Sequence, residues 1–243
     1  MQSKIPLPPK ELILAIGGSY REYGDMRSNF FIKELGLKKT DHVLDVGCGC
    51  GRIAIPLTNH IEEGTYTGFD IMGDCVSWCQ SEIQPIFNNF VFEKADVYNK
   101  HYNPKGTFKA KDYIFPYKEN YFDFIYLSSV FTHMLPEDME QYLREIKRVL
   151  KKGGKVAITY FIISDESNAL VSNGKSVFNF QKHDNLYVLS KKDVEAGVGF
   201  TEEYIQQTYL DNNLKIEKIF KGSWCGREEF SVKGQDLIFS IKT

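Results

Sequence analysis

The sequence predicts an α/β fold, an open, doubly wound sheet with helices on both faces and a helical cap at its N-terminal side. Short apolar runs alternate with segments of helical period, which forces parallel pairing through right-handed crossovers. Three of these runs end in an acid or a glycine: His42–Val46, Thr65–Phe69 and Phe90–Ala95. The last two runs, Lys215–Phe220 and Asp236–Ile241, have no helix between them and should pair antiparallel.

Residues 11–36 hold two helical stretches broken at Gly17-Gly18, the second running from about Arg21 to Leu35 with Met26, Phe30, Phe31 and Leu35 at helical spacing. Gly36 ends it, and a buried strand, His42 to Val46, closes on Gly47. Arg52 to His60 reads as a helix, with Pro56 near its first turn, where a missing N–H costs least. Thr65–Phe69 is a strand followed by Asp70, Asp74–Phe87 a helix, and Phe90–Ala95 a strand followed by Asp96. A polar stretch over 98–120 interrupts the rhythm. Phe122–Leu127 is the next strand, and Pro136–Leu150 a helix with Met139, Leu143, Ile146 and Val149 on one side. Lys151-Lys152-Gly153-Gly154 supplies cations and a glycine cap at its end. Lys155–Ile163 is a strand with an apolar run typical of a sheet covered on both faces. After a variable stretch, Thr201–Asn212 is a helix.

Lysine and arginine total 30 against 32 acids, a formal charge of -2, which argues against holding nucleic acid as the main task. No apolar run reaches the 18 or so residues that span a bilayer, so no membrane insertion is expected. The start, MQSKIPLPPK, lacks the apolar core of a signal peptide, and a cytoplasmic location is the expectation. Cysteines stand at 48, 50, 75, 79 and 225. Cys75 and Cys79 share a helix face, but no further ligands are spaced to complete a zinc site, so packed, reduced thiols and no metal are expected.

In such a sheet the ligand sits at the carboxyl ends of the strands, after the first one. That place is Val43-Leu44-Asp45-Val46-Gly47-Cys48-Gly49-Cys50-Gly51-Arg52. A dinucleotide fingerprint would need a third glycine where Arg52 stands. Asp45 would repel a pyrophosphate. It would attract a phosphate-free cationic nucleoside such as S-adenosylmethionine; its competing role is to cap the turn. Asp70 closes the second strand, where a carboxylate accepts ribose hydroxyls in sheets of this type. Asp96 closes the third and is placed to accept from an adenine amino group, with Val97 offering its N–H and an apolar side.

VLDVGCGCGR, GFD, KADV and FDFIYLSSVFTHM, with the following helix MLPEDMEQYLREIKRVLKKGG, resemble the class I S-adenosylmethionine-dependent methyltransferases, most strongly over residues 40–163. The tail segments GSWCGR (222–227) and QDLIFSIK (235–242) look like the small-molecule-type subfamily. The resemblance implies a seven-stranded sheet of order 3-2-1-4-5-7-6 with strand 7 antiparallel, in a single domain: cap 1–40, cofactor-binding core 41–163, acceptor side and last strands 164–243. By motif, Asp45, Gly47, Cys48, Gly49 and Gly51 would surround the methionine moiety, Asp70 and Ile71 the ribose, and Asp96 and Val97 the adenine. Leu127 and Ser128 would face the sulfonium end, and Gly17-Gly18-Ser19-Tyr20 would close over the cofactor.

Departures from the family narrow the acceptor. Leu127-Ser128-Ser129-Val130 stands where base-amino enzymes carry Asn/Asp-Pro-Pro-aromatic, and it lacks the cysteine of cytosine-C5 enzymes. Glu137 and Glu140 lie on a helix rather than in the hairpin of arginine enzymes, and no magnesium cluster assembles. A small-molecule or saccharide acceptor is expected, with O-methylation ahead of amine or carboxyl methylation. A hydroxyl must lose its proton, and His133, six residues past the fourth strand, suits that base; its competing role is to pack or cap the next helix. Tyr160, His183, Tyr187 and Trp224 are either acceptor-side groups or packing. Tyr102, Tyr113, Phe115 and Tyr117 lie among lysines, in a lid, a sheet-edge elaboration or an ordinary loop. The rival readings are an NAD(P)-dependent oxidoreductase and a non-catalytic S-adenosylmethionine-binding module.

Overall fold

The computed structural model describes residues 5–184 and 186–243; the first four residues of the expected cap lie outside them. In chain order, α1 (Lys10–Ala15), α2 (Tyr20–Lys33), β1 (His42–Val46), α3 (Ala54–Leu57), β2 (Thr65–Asp70), α4 (Gly73–Glu82), β3 (Phe90–Lys94), β4 (Phe122–Leu127), α5 (Pro136–Val149) and β5 (Leu150–Ile163) come first. They are followed by α6 (Asp165–Ser172), β6 (Gln181–His183), β7 (Leu186–Val188), β8 (Val198–Thr201), α7 (Glu202–Asp211), β9 (Leu214–Phe220) and β10 (Asp236–Lys242).

The strand order β3-β2-β1-β4-β5 continues into β10 and β9, with β10 antiparallel to both β5 and β9. This is the expected order, 3-2-1-4-5-7-6, with the last strand of the chain reversed. Three further strands enlarge the sheet. β8 pairs parallel with Phe161–Ile163 of β5, and β7 and β6 follow it. β5 therefore serves two partners in succession, because β10 takes its Lys155–Tyr160 portion.

The chain divides into two compact units, one of residues up to Ala110 with Tyr121–Ile125, the other of Lys111–Asn120 with Tyr126–Thr243. In the first, β1 and β2 run parallel with Asp45 opposite Gly68, and Val43, Leu44, Tyr66, Phe90 and Phe92 are buried. Phe31 of α2 packs on Phe124, ring centroids 5.5 Å apart. In the second, α5 buries Met139, Tyr142, Leu143, Ile146 and Val149 along one side, as the sequence pattern required. Glu145 and Arg148 of the same helix hold the 111–120 stretch. Glu145 accepts the Phe115 N–H at 2.8 Å, and Arg148 donates to the carbonyls of Phe115 and Tyr117, both at 2.8 Å.

Three boundaries differ from the sequence reading, each for a local reason. The helix expected over Arg52–His60 shrinks to α3, because Pro56 has no N–H and the chain beyond Leu57 winds into tight turns such as His60 N–H to Leu57 O, 2.9 Å. The helix expected to reach Phe87 ends at Glu82, since Pro85 disfavours helical backbone at the residue before it. The glycine cap expected at Lys151–Gly154 is not formed. Leu150 turns extended at φ -77°, ψ 137°, its side chain fully buried, and β5 starts there.

Asp236, at the start of β10 and 1% exposed, ties the second unit's tail together. Its carboxylate accepts from the N–H of Ile162 (3.0 Å), the N–H of Gly222 (2.7 Å), Trp224 Nε1 (2.5 Å) and Arg227 Nη1 (2.8 Å). Burial nonetheless raises its carboxyl pKa, against the lowering effect of these donors. Removing the acceptor would leave the Gly222 amide, the Ile162 amide and Trp224 Nε1 without it, and the buried Arg227 guanidinium with only the partly exposed Glu166 (3.3 Å) as its acid. Asp236→Ala is expected to lower the unfolding free energy by about 3–5 kcal/mol, read by urea titration; a loss below about 1 kcal/mol would contradict this role.

Candidate functional site

β1 delivers the chain into the glycine turn, and the turn's backbone states why glycine is needed. Gly47, Gly49 and Gly51 sit at φ 82°, 52° and 72°, the left-handed region that other residues enter at a cost. The N–H groups of Gly47 and Cys48 both donate to the Phe69 carbonyl, at 2.8 and 3.1 Å, which fastens the turn to the end of β2. Asp70, the next residue, completes the attachment. Its Oδ2 accepts the Gly49 N–H at 2.7 Å and its Oδ1 the Met72 N–H at 2.8 Å. Burial raises the Asp70 carboxyl above its usual value, an effect opposed by the backbone donors of Met72, Gly49 and Ile71. Ile71 itself is half-buried beside it.

Asp45 is buried and accepts the Tyr66 hydroxyl at 2.5 Å, Tyr66 being stacked on Phe90. No sequence signal marks Tyr66; the strand register, which puts Asp45 opposite Gly68, leaves room for it. Cys48 is buried against this pair of acids. Burial first, then Cys79 and the charges of Asp70 and Asp45, push its thiol pKa well up. Asp96 is exposed at the end of β3, and its carbonyl accepts the N–H groups of Thr107 and Phe108. Val97 is buried, its carbonyl capped by Asn103 Nδ2 at 2.9 Å. Tyr102 comes close enough to Asp70 that, after burial, the aspartate's charge raises its phenol.

Arg52 turns out to be a strap. Its Nη1 donates to the carbonyls of Ile16 (2.8 Å) and Gly18 (3.3 Å), and its guanidinium lies 4.1 Å from the centre of the Tyr23 ring. The Tyr20 hydroxyl donates to the Cys50 carbonyl at 2.5 Å. Gly24 completes the fit: a Cβ there would stand 2.1 Å from the Arg52 carbonyl oxygen. The Gly17-Gly18-Ser19-Tyr20 segment is thus anchored on the glycine turn, and Ile16 packs where a Gly49 side chain would go.

In the second unit, Leu127 is buried at the end of β4 and Ser128 half-buried. Ser129 holds a left-handed φ of 62° without being glycine. Its N–H donates to Thr159 Oγ1 (2.8 Å) and its hydroxyl to Gln235 Oε1 (3.0 Å), which fixes that conformation. His133 lies in a single 3-10 turn, half-buried, its Nδ1 2.9 Å from the Glu195 carbonyl. A carbonyl only accepts, so Nδ1 carries the proton, and Nε2 is the acceptor nitrogen whenever the ring is neutral. Tyr160 is fully buried with its hydroxyl 3.1 Å from that of Tyr209, and Trp224 is bound to Asp236, so both pack. Tyr187 packs on the Phe161–Phe180–Trp224 cluster, and His183 is half-buried on β6. Tyr113 and Phe115 pack around Tyr142 rather than lying open.

The first unit's residues fit a cationic nucleoside without phosphate. Two buried carboxylates flank the turn, and the arginine at its end is spent on the strap. A pyrophosphate over the turn would face both of these acids.

Comparison with known proteins agrees. Residues 37–211 match the methyltransferase-domain family. A probable methyltransferase of Aspergillus luteorubrus is 29% identical over 50% of this chain and 40% of its own. A sterol 24-C-methyltransferase of Kluyveromyces lactis is 28% identical over 81% of this chain and 50% of its own. The chain therefore spans half or less of the length of these curated relatives. Among solved structures, a SAM-dependent methyltransferase from Aquifex aeolicus superposes with a TM-score of 0.58 at 17% identity, covering 98% of this chain and 100% of that one, and so shares the fold. The chain belongs to the methyltransferase-domain family, with S-adenosylmethionine as its cofactor.

Proposed function

We propose that the protein transfers the methyl group of S-adenosylmethionine to a hydroxyl of a small-molecule or saccharide acceptor. The cofactor supplies an electrophilic methyl on a sulfonium. The chain's own task is to hold both reactants in line and exclude water, an effect worth ~7–11 kcal/mol. Asp70 carries the reading. It is a buried acid held by the backbone amides of Gly49, Met72 and Ile71, and three donors do not exhaust a carboxylate's acceptor capacity, which a ribose hydroxyl would complete. Gly47, Cys48, Gly49 and Gly51 would border the methionine, with Asp45 contributing charge from behind Tyr66. Ile71, Asp96 and Val97 would receive the adenosine, and Leu127 and Ser128 the sulfonium end. Residues 164–243 would build the acceptor side. His133 would take the acceptor proton at Nε2, its ring oriented through Nδ1 by the Glu195 carbonyl.

A second reading follows from the sterol 24-C-methyltransferase, whose similarity reaches over 81% of the chain. On that reading the acceptor is a carbon, and His133 would collect the proton that leaves after methylation. Incubation with isotopically labelled methyl donor and a panel of hydroxyl, amine, carboxyl and sterol acceptors separates the two by product analysis. Turnover on amines or carboxylates alone would refute the hydroxyl reading.

Asp70→Ala is expected to weaken S-adenosylhomocysteine binding by about 1.5–3 kcal/mol through lost charge-assisted bonds, measured by calorimetry; an unchanged dissociation constant would place the ribose elsewhere. The wild-type affinity should fall on acidification beginning above the ordinary aspartate midpoint of 3.8, because the ionised form is the acceptor and burial raises its pKa. His133→Gln should cut turnover about 10²–10⁴-fold with cofactor affinity kept, and should remove the acidic limb of the pH–rate profile. Equal turnover would assign His133 to packing.

A further inference from the structure

From Tyr98 to Lys111 the chain carries Lys100, Lys105, Lys109, Lys111 and His101 and not one acid, in a protein of net charge -2. Up to Lys109 this segment forms a tightly built loop after β3. Asn99 and Asn103 exchange backbone hydrogen bonds (3.2 and 3.0 Å), and the Asn99 carboxamide accepts the N–H groups of His101 and Tyr102. Phe108 returns to the strand end, its N–H on the Asp96 carbonyl and its own carbonyl on the Tyr98 N–H (2.7 Å). The buried Asn103 ties the loop's interior to Val97.

Three aromatic side chains of this loop still reach solvent, Tyr102 only in part. Tyr98 is 47% exposed, Tyr102 38% and Phe108 52%, and Lys100, Lys105 and Lys109 are exposed among them. Edge strand β3, which leads into the loop, adds exposed Val91. Exposed aromatics interleaved with lysines on a hydrogen-bonded loop match the boundary of an anionic bilayer, where rings enter the headgroup layer and ammonium groups meet lipid phosphates. We propose that this loop docks the protein on an anionic phospholipid surface. A nucleic acid strand fits less well: it asks for a long basic track, and Val91 has no ring face on which a base could stack.

The test uses the full chain and sucrose-loaded vesicles of phosphatidylcholine, alone or with about 30% phosphatidylglycerol, a share that gives the surface the negative potential on which the lysines act. Sedimentation with the anionic vesicles only, released by about 0.5 M salt, is expected. Lys100→Ala, Lys105→Ala and Lys109→Ala should each weaken it roughly fivefold, and the triple variant roughly 100-fold. Phe108→Ser should weaken it with the charges intact. Unchanged circular dichroism and S-adenosylhomocysteine affinity identify folded variants, and because vesicle binding needs no methyl transfer, its failure is separable from failure of the enzymatic reading. No sedimentation, equal sedimentation with both vesicles, or anionic binding that survives the triple substitution overturns the proposal. So does tighter, lysine-dependent binding of a single-stranded oligonucleotide, or a solution dimer that Phe108→Ser dissolves.

Discussion

The hydrogen bond from the Gly49 amide to the Asp70 carboxylate fixes where everything else in the first unit can be. It joins the loop leaving β1 to the end of β2, two points 21 residues apart in the chain, at 2.7 Å. For the amide to point there, the turn must pass through left-handed backbone at Gly47, Gly49 and Gly51, so the glycines and the acid are one device. A charge-assisted bond of this kind contributes about 1.5–3 kcal/mol net. It also holds the carboxylate in one orientation, so that on the proposed function ligand hydroxyls would meet an acceptor already in place rather than one that must be ordered on binding. Arg52 and Tyr20 extend the same rigidity outward by fixing the N-terminal segment to the turn through backbone carbonyls.

Strands β1, β2, β3 and β4 were legible almost to the residue because each is a short run, mostly apolar, stopped by an acid, a glycine or a polar loop, and such runs have few alternatives in a doubly wound sheet. The segment from 164 to 200 was not. Its strands β6, β7 and β8 are only three or four residues long, and their existence depends on Phe161–Ile163 of β5 offering a free edge to β8, a long-range circumstance that no local period records. The site divides along the same line. Asp70 and the glycines announce themselves by type and position. The partner of His133 could not, because it is the carbonyl of Glu195, a group every residue owns. Arg52 was visible as a departure from the dinucleotide pattern, but its use as a strap needed the three-dimensional course of Ile16 and Gly18.

The cysteines show the same economy of space around the turn. Cys48, Cys50, Cys75 and Cys79 are all buried. A Cβ on Gly68 would come within 2.9 Å of that of Cys48, and one on Gly51 within 3.2 Å of the Cys79 sulfur. Burial raises the thiols of Cys48 and Cys79, and the hydrogen bond to Cys50 raises that of Cys75. With their thiols raised, Cys48, Cys75 and Cys79 are compact apolar fillers beside the two buried acids.

That concentration of charge has a cost in stability. For a carboxyl whose folded pKa is raised, the protonated form is the one the fold prefers. Its favourable contribution is complete below the unfolded midpoint and is lost as pH rises through the folded one. Asp70 is in this position: burial favours its protonated form, and the amides of Gly49, Met72 and Ile71 oppose that shift only in part. An amide or an apolar side chain would remove that conflict, but neither would present two anionic oxygens to a pair of hydroxyl donors. The conflict is therefore informative. On the proposed function, a buried acid whose geometry is maintained by the turn beside it is a group positioned for a ligand, and stability and cofactor affinity would respond in opposite directions to the same ionisation.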